Sequence, residues 1–319
     1  MRPPFRLDFT VAALQRVATN AVEVWTEDAR YLRAFATRDG PVVWEVAQRQ
    51  DRPALRLRLH GPAGDLGPWQ ALLRRMVGAD VDLAPFYAAA ARVPILADLA
   101  ERLRGLKPPR FATLWESLVN TIAFQQLSLA SGMASVGRLT RRCSRPVPFA
   151  GAVLHPFPAP EAVSELSDGE LRACGFSAAK ARTLRAASSA ILGGALREEE
   201  LELLPDAEVA ERLRQLPGVG PWTSTLVLLR GLGRLASFPR GDSGADRRLR
   251  AVFGGADSAQ LLAALGDQRG MLYFHLLLSS RLGAATDGAP PSPPSRPARS
   301  RRARRRRRPA SPPPPRSPP

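Results

Sequence analysis

Leu216-Pro217-Gly218-Val219-Gly220-Pro221-Trp222-Thr223, and further on Phe238-Pro239-Arg240-Gly241-Asp242-Ser243-Gly244, are the stretches that decide how this chain folds. Upstream of the first, Asp206-Ala207-Glu208 opens a helix that places Val209, Leu213 and Leu216 on one face, with Asp206 positioned to cap its amides. Pro217 stops that helix. Gly218 and Gly220 permit positive φ and carry no Cβ, so their N–H groups are free to point outward together. Pro221 suits the first turn of a second helix, residues 222–230, which Gly231 ends. Two helices joined by a glycine-bearing elbow leave bare amides at a helix N-terminus, where an anion is stabilised. Gly-Val-Gly between helices is equally the mark of an ordinary tight turn, and only the remaining residues separate the two readings.

Charge comes next. The 319 residues carry a formal net charge of +17, and 45% of them are hydrophobic, enough for a substantial core in two or three units. From Ala285 onward ten arginines oppose the single Asp287, so the tail holds +9 and the body +8. A basic body with a basic tail favours a polyanionic partner, and the anion an elbow meets on DNA is a backbone phosphate. The tail reads equally as a DNA tether and as a solvated appendage. Cys143 and Cys174 are too few for a disulfide framework, a four-thiolate zinc site or an iron–sulfur cluster. His60, His155 and His275 are widely separated and form no ligand cluster. No signal-peptide core and no run of about 18 apolar residues is present, so a soluble protein without membrane contact is expected.

The apolar period changes along the chain. Residues 22–25, 31–35, 42–46 and 54–59 read as strands, with the clearest alternation in Leu55-Arg56-Leu57-Arg58-Leu59, and predict an antiparallel sheet with one wet face. From Pro68 to Leu282 nearly every segment suits helices, among them 69–77, 94–103, 115–124, 128–140, 168–173, 177–192, 243–253 and 270–282. The fold class is therefore α+β and mostly α. Residues 1–104 form a β-rich domain with trailing helices, 105–284 a helical core, and 285–319 a disordered Arg/Pro/Ser-rich tail.

Four segments in this order resemble the helix-hairpin-helix DNA glycosylase superfamily, in its 3-methyladenine DNA glycosylase II branch. They are the N-terminal sheet; Gly105-Leu106-Lys107-Pro108-Pro109-Arg110-Phe111 leading to Ile122-Ala123-Phe124-Gln125-Gln126-Leu127-Ser128; Leu171 through Arg182; and the elbow with its trailing aspartate. The resemblance covers residues 5 to about 283. It implies a monomeric, cytoplasmic, nucleoid-associated enzyme of base excision repair that removes damaged bases, alkylated purines foremost, from double-stranded DNA. A catalytically inactive DNA-binding module, or a glycosylase for oxidised or deaminated bases, is the alternative.

Within that resemblance Asp242 is the catalytic carboxylate, which stabilises the oxocarbenium character of the deoxyribose and orients water. An N-cap role for the helix it precedes is compatible. Asp246 is second in line, and pairing with Arg247 or Arg250 is its simpler role. Trp222, Tyr273 and Phe124 are implied as walls of the base pocket, with core packing as the plain alternative for Trp222 and Tyr273. Gly218, Gly220 and Thr223 would hold the phosphate, Gln126 would wedge into the stack, and Lys180, Arg182 and Arg110 would touch the backbone. Leu226 and the 266–270 segment lack aromatics that some relatives carry in the pocket. The chain contains only two lysines, Lys107 and Lys180, and Trp222 occupies the elbow slot where a Schiff-base lyase needs an amine. No cofactor is required. The resemblance further implies that backbone carbonyls of Arg214, Leu216 and Val219 coordinate Na+ or K+.

Overall fold

A computed structural model describes residues 1–49, 54–254 and 258–286; residues 287–319, hence nearly all of the tail expected to be disordered, lie outside the described residues. The chain opens with a helix, α1 (Leu7–Gln15), which buries Leu7, Val11 and Leu14 along one stripe. Sequence reasoning placed only strands here. Arg6, at the N-cap, makes no side-chain capping bond, so the usual start signal is missing.

Four strands follow, β1 (Val24–Trp25), β2 (Arg30–Thr37), β3 (Gly40–Gln48) and β4 (Leu55–His60), paired antiparallel in that order. The expected wet face survives only on β4. In β2, consecutive residues Tyr31, Leu32, Arg33 and Ala34 are all buried, because both faces of the central strands are covered. Tyr31, Trp44 and Val46 pack on α1 and on α2 (Leu66–Met76), while Leu32, Ala34 and Val43 pack on Leu154. Trp44, fully buried, receives Tyr31 and Phe35 edge-on with ring centroids 5.8 and 4.6 Å away.

The helical part continues with α3 (Ala84–Ala90), α4 (Pro94–Arg102), α5 (Leu114–Phe124) and α6 (Leu129–Cys143). Thr113 and Ser128 cap α5 and α6 by accepting the amides of Glu116 and Ser131. A small hairpin, β5 (Val147–Phe149) and β6 (Ala152–Leu154), supplies Leu154 to the second face of the sheet, in a stretch where the sequence analysis names no element. Then come α7 (Pro160–Ser164), α8 (Asp168–Ala173) with a Ser167/Glu170 capping box, α9 (Ala178–Leu192) capped by Ser177, and α10 (Glu198–Leu203). The elbow joins α11 (Asp206–Arg214) to α12 (Pro221–Arg230), and α13 (Ser243–Phe253), α14 (Ser258–Leu265) and α15 (Arg269–Thr286) close the fold. Among the described residues no helix is long and apolar enough to cross a membrane.

Helix α12 stands between two cores. Val227 and Leu228 belong to the cluster built on α5, α6, α9 and α11, while Leu229 belongs to the one shared by α1, α3, α4, α13, α14 and α15. The β-sheet is locked to α5 by a buried ion triad. Arg33 pairs with Glu23 and places Nη2 2.5 Å from Glu116 Oε2, all three side chains lying within a few per cent of full burial. Desolvation pushes the Glu23 carboxyl up, with the Arg33 charge opposing it.

Candidate DNA-binding and base-release site

The elbow explains its own glycines, though not alike. Gly218 has φ 81°, and a Cβ there would collide with Thr183 Oγ1 on α9. Gly220 has φ −98°, ψ −174°, an extended conformation open to any residue, and a Cβ would meet nothing within 4 Å. Positive φ, expected at both, is required only at Gly218. The emptiness around Gly220 instead leaves room for a group to approach the backbone. Gly218, Gly220, Trp222 and Thr223 N–H groups donate to no described residue, and they cluster at the start of the ten-residue α12. Asp206 does not cap α11; Pro205 holds the N-cap position and Asp206 lies 3.4 Å from Arg234. The carbonyls of Arg214 and Val219 accept no hydrogen bond from described residues, whereas that of Leu216 accepts the Val219 N–H at 3.1 Å.

Gln125 ties the end of α5 to this elbow. Its Nε2 donates to Gly218 O at 2.9 Å and to Thr223 Oγ1 at 3.0 Å, so the Thr223 hydroxyl is used internally and only its amide faces out. Gln126 beside it is exposed and held at φ 55°, and Leu127 is 40% exposed. Nothing in local sequence distinguished the tying glutamine from the exposed one.

Asp242 is held from two sides. Its Oδ1 accepts the Ala245 N–H at 2.8 Å, capping α13, and its Oδ2 accepts the Trp222 indole N–H at 3.1 Å. The carboxylate thus serves as a cap while also being aimed across to α12. It forms no ion pair among the described residues. Trp222 is half-buried and belongs to no hydrophobic cluster, so its ring face is left uncovered by the core. Asp246 makes no ion pair with Arg247 or Arg250, contrary to expectation. Arg240, Arg247 and Arg250 are exposed and unpaired among the described residues, which gives this flank a positive surface; for Arg247 and Arg250 the sequence had suggested pairing with Asp246 instead.

Of the remaining predicted residues, Phe124 and Tyr273 are half-buried, Tyr273 packing edge-on against Phe274 at 5.6 Å. Phe124 abuts Gly132 of α6, where a side chain would strike its ring. Arg182 is exposed and without an ion pair among the described residues. Lys180 instead donates to Ala123 O at 2.9 Å, covering the C-terminal end of α5, and burial lowers its pKa. Arg110 is not free for a phosphate: it donates to Gly231 O at 2.8 Å and to Glu202 at 2.6 Å. One residue absent from the sequence reading enters here. The Arg16 guanidinium stands 4.8 Å from the centre of the Phe124 ring and 5.6 Å from that of Phe111. Two cavities, of about 470 Å3 beside Trp115 and Glu198 and about 280 Å3 beside Asn20 and Arg141, lie away from Asp242 and are not lined by it.

Residues 119–264 match the HhH-GPD superfamily of base excision DNA repair proteins, and residues 1–113 match the AlkA N-terminal domain. A probable bifunctional transcriptional activator/DNA repair enzyme AlkA of Mycobacterium tuberculosis is 32% identical over 246 residues, covering 76% of this chain and 48% of that protein. DNA-3-methyladenine glycosylase 1 of Schizosaccharomyces pombe is 33% identical over 129 residues, 40% of this chain and 53% of that one. The chain therefore spans about half the length of these curated relatives. A 3-methyladenine DNA-glycosylase from Archaeoglobus fulgidus shares the fold, with a TM-score of 0.74 and 21% identity over 88% of this chain and 97% of that one. A sheet domain matched at its N-terminus, followed by a matched core that contains the elbow and Asp242, shows that the chain belongs to the HhH-GPD base excision DNA repair superfamily, in its AlkA-like branch.

Proposed function

We propose that the protein is a monofunctional DNA glycosylase, which everts a damaged base from duplex DNA and hydrolyses its N-glycosidic bond. The observation that carries this reading is Asp242: a carboxylate fixed by two N–H donors, adjacent to an anion-binding elbow, with no cation among the described residues within ion-pair distance. In the elbow, four unpartnered amides and the free space at Gly220 suit a backbone phosphate, whose binding fixes position without reading sequence. With the strand so placed, Asp242 faces the sugar of the everted nucleotide. As the base leaves with the glycosidic electron pair, positive charge grows at C1′ and the ring oxygen; the carboxylate stabilises it, and accepts a proton as water adds to C1′. At about 4 Å and an effective dielectric near 20, such a pairing is worth roughly 4 kcal/mol, on the order of a thousandfold in rate.

Gln126, exposed at positive φ on the α5–α6 loop, takes the space of the everted base. Half-buried Trp222, Phe124 and Tyr273 offer ring faces to that base. The name of the Schizosaccharomyces pombe relative, a DNA-3-methyladenine glycosylase, directs the substrate to alkylated purines. The free carbonyls of Arg214 and Val219 fit a Na+ or K+ ion that would bridge the elbow to the phosphate, with Leu216 O already hydrogen-bonded to Val219 N–H. Both lysines are engaged elsewhere, Lys107 donating to Val81 O at 2.5 Å and Lys180 to Ala123 O at 2.9 Å, which supports a reading without Schiff-base chemistry. Base release therefore leaves an intact abasic site.

The test is a panel of duplexes, each carrying one lesion, scored for free base and for heat-labile abasic sites, with borohydride trapping alongside. Release from alkylated purines without a covalent adduct is expected. Silence on alkylated, deaminated and oxidised duplexes alike makes the protein a DNA-binding module, and a trapped adduct makes it a lyase.

A further inference from the structure

Helix α13 turns one face inward and keeps the other charged. Ala245, Leu249 and Phe253, four residues apart, are buried in the core shared with α15. Arg247 and Arg250 lie exposed on the outer side, three residues apart, and Arg240 is exposed in the loop leading into the helix. Asp246, the sole acidic residue of 243–253, pairs with none of them. The contrast with other surfaces is plain: exposed Arg104, Arg142, Arg212 and Arg214 each meet a carboxylate, of Glu101, Glu170, Glu208 and Glu211 respectively.

Arg248 stands nearest the catalytic carboxylate. Helical side chains lean toward the N-terminus, and this one runs back over Gly244, where a Cβ would sit 3.4 Å from Arg248 Nη1 and 3.1 Å from Asp242 Oδ1. The guanidinium and the carboxylate thus lie on either side of one glycine. Arg248 is half-buried and makes no side-chain hydrogen bond or ion pair among the described residues. It also faces Arg16, whose pKa burial lowers; Asp242 opposes that fall and the Arg248 charge adds to it. Asp242 is therefore rimmed by two cations, neither within ion-pair distance. Left uncompensated, such a rim opposes the positive charge that grows on the sugar, so the site calls for an anion beside Arg248.

The Trp222–Asp242 bond decides which anion. It holds the N-terminus of α13 beside that of α12, so the basic face of α13 continues from the amides of the elbow. A strand whose phosphate sits at the elbow carries further phosphates onto that face. We propose that α13 is a second grip on the DNA backbone, in which Arg248 holds a phosphate next to the everted nucleotide and Arg240, Arg247 and Arg250 hold those beyond it, so that the strand is fixed at two points. This rests on the glycosylase reading given above and adds backbone contacts separate from the elbow.

The experiment uses a duplex with one abasic analogue, in which one phosphate at a time on either side is replaced by an uncharged methylphosphonate. Affinity is read by fluorescence anisotropy over a series of salt concentrations. Wild type is expected to lose about tenfold at two separate positions, one for each grip. Arg248→Gln should bind the unmodified duplex about tenfold more weakly, lower the salt slope by about one, and become indifferent to the methylphosphonate at one of those positions. Gly220→Ala should become indifferent at the other. Arg248→Lys keeps the charge and should keep the slope. Arg56→Gln, on the exposed side of β4, removes the same charge elsewhere and should leave the slope as it is. A single sensitive position in wild type overturns the proposal, as does coupling of Arg248→Gln and Gly220→Ala to the same phosphate. An equal fall in slope for Arg56→Gln and Arg248→Gln overturns it too, reducing the effect to overall charge. If wild type binds the duplex but releases no base from any lesion, the glycosylase reading falls and these affinities still decide the role of α13.

Discussion

Replacing each elbow glycine by alanine separates its two jobs. At Gly218, alanine must adopt φ near 81°, which costs about 1–2 kcal/mol for a residue with a Cβ. Its methyl group also displaces Thr183 Oγ1, whose 3.1 Å bond to Ala179 O is worth another ~1 kcal/mol. Together these predict a loss of about 2–3 kcal/mol, or a fall in Tm of roughly 3–5 °C for a protein of this size. At Gly220 the φ of −98° suits alanine and the space is empty, so stability should hold or rise by about 0.5 kcal/mol through the stiffer unfolded chain. DNA affinity should nonetheless fall, since the methyl group occupies the space left for a phosphate. Thermal unfolding and fluorescence anisotropy with an abasic-analogue duplex read both effects. Equal destabilisation by the two substitutions, or Gly220→Ala binding as well as wild type, would refute the assignment of phosphate to this elbow.

Trp222→Phe keeps a ring but removes the N–H that fixes Asp242 Oδ2, so kcat should drop about tenfold, in line with one lost hydrogen bond of ~1.5 kcal/mol, with a smaller change in KM; a normal kcat would show that the bond does not orient the carboxylate. His275 is fully buried against Phe86, donates from Nδ1 to Met271 O at 2.8 Å, and has its pKa lowered by burial from 6.5 to about 4. The folded state therefore binds fewer protons than the unfolded state between those values. The stabilisation is complete above pH 6.5 and is lost as pH falls toward 4, by about 3 kcal/mol. Urea unfolding across that window should show this slope in wild type and lose it in His275→Leu; identical slopes in both would discard the assignment.

The elbow and Asp242 were legible because their signals are local: prolines and glycines punctuate the helices, and a lone aspartate sits where a helix begins. Where a signal depends on distant partners, the sequence is silent. Arg110 and Lys180 read as free cations, yet their acceptors lie 121 and 57 positions away, at Gly231 and Ala123. Arg16 meets rings at positions 111 and 124, which no local pattern announces. Asp206 and Asp246 show the converse, since being next to a helix start or to arginines did not determine what either bonds to. The first helix escaped notice because Arg6 gives it no side-chain cap, and the covered second face of the sheet because the hairpin that covers it is about a hundred residues later in the chain.

Asp242→Asn tests the central claim most directly. Asparagine keeps an acceptor for the Ala245 amide, so α13 and DNA binding should be preserved, while the charge that answers the developing cation is gone. Measured side by side on a duplex that wild type cleaves, base release should fall by about a hundred- to a thousandfold with affinity for an abasic-analogue duplex within about twofold of wild type. Base release at the wild-type rate would contradict the account.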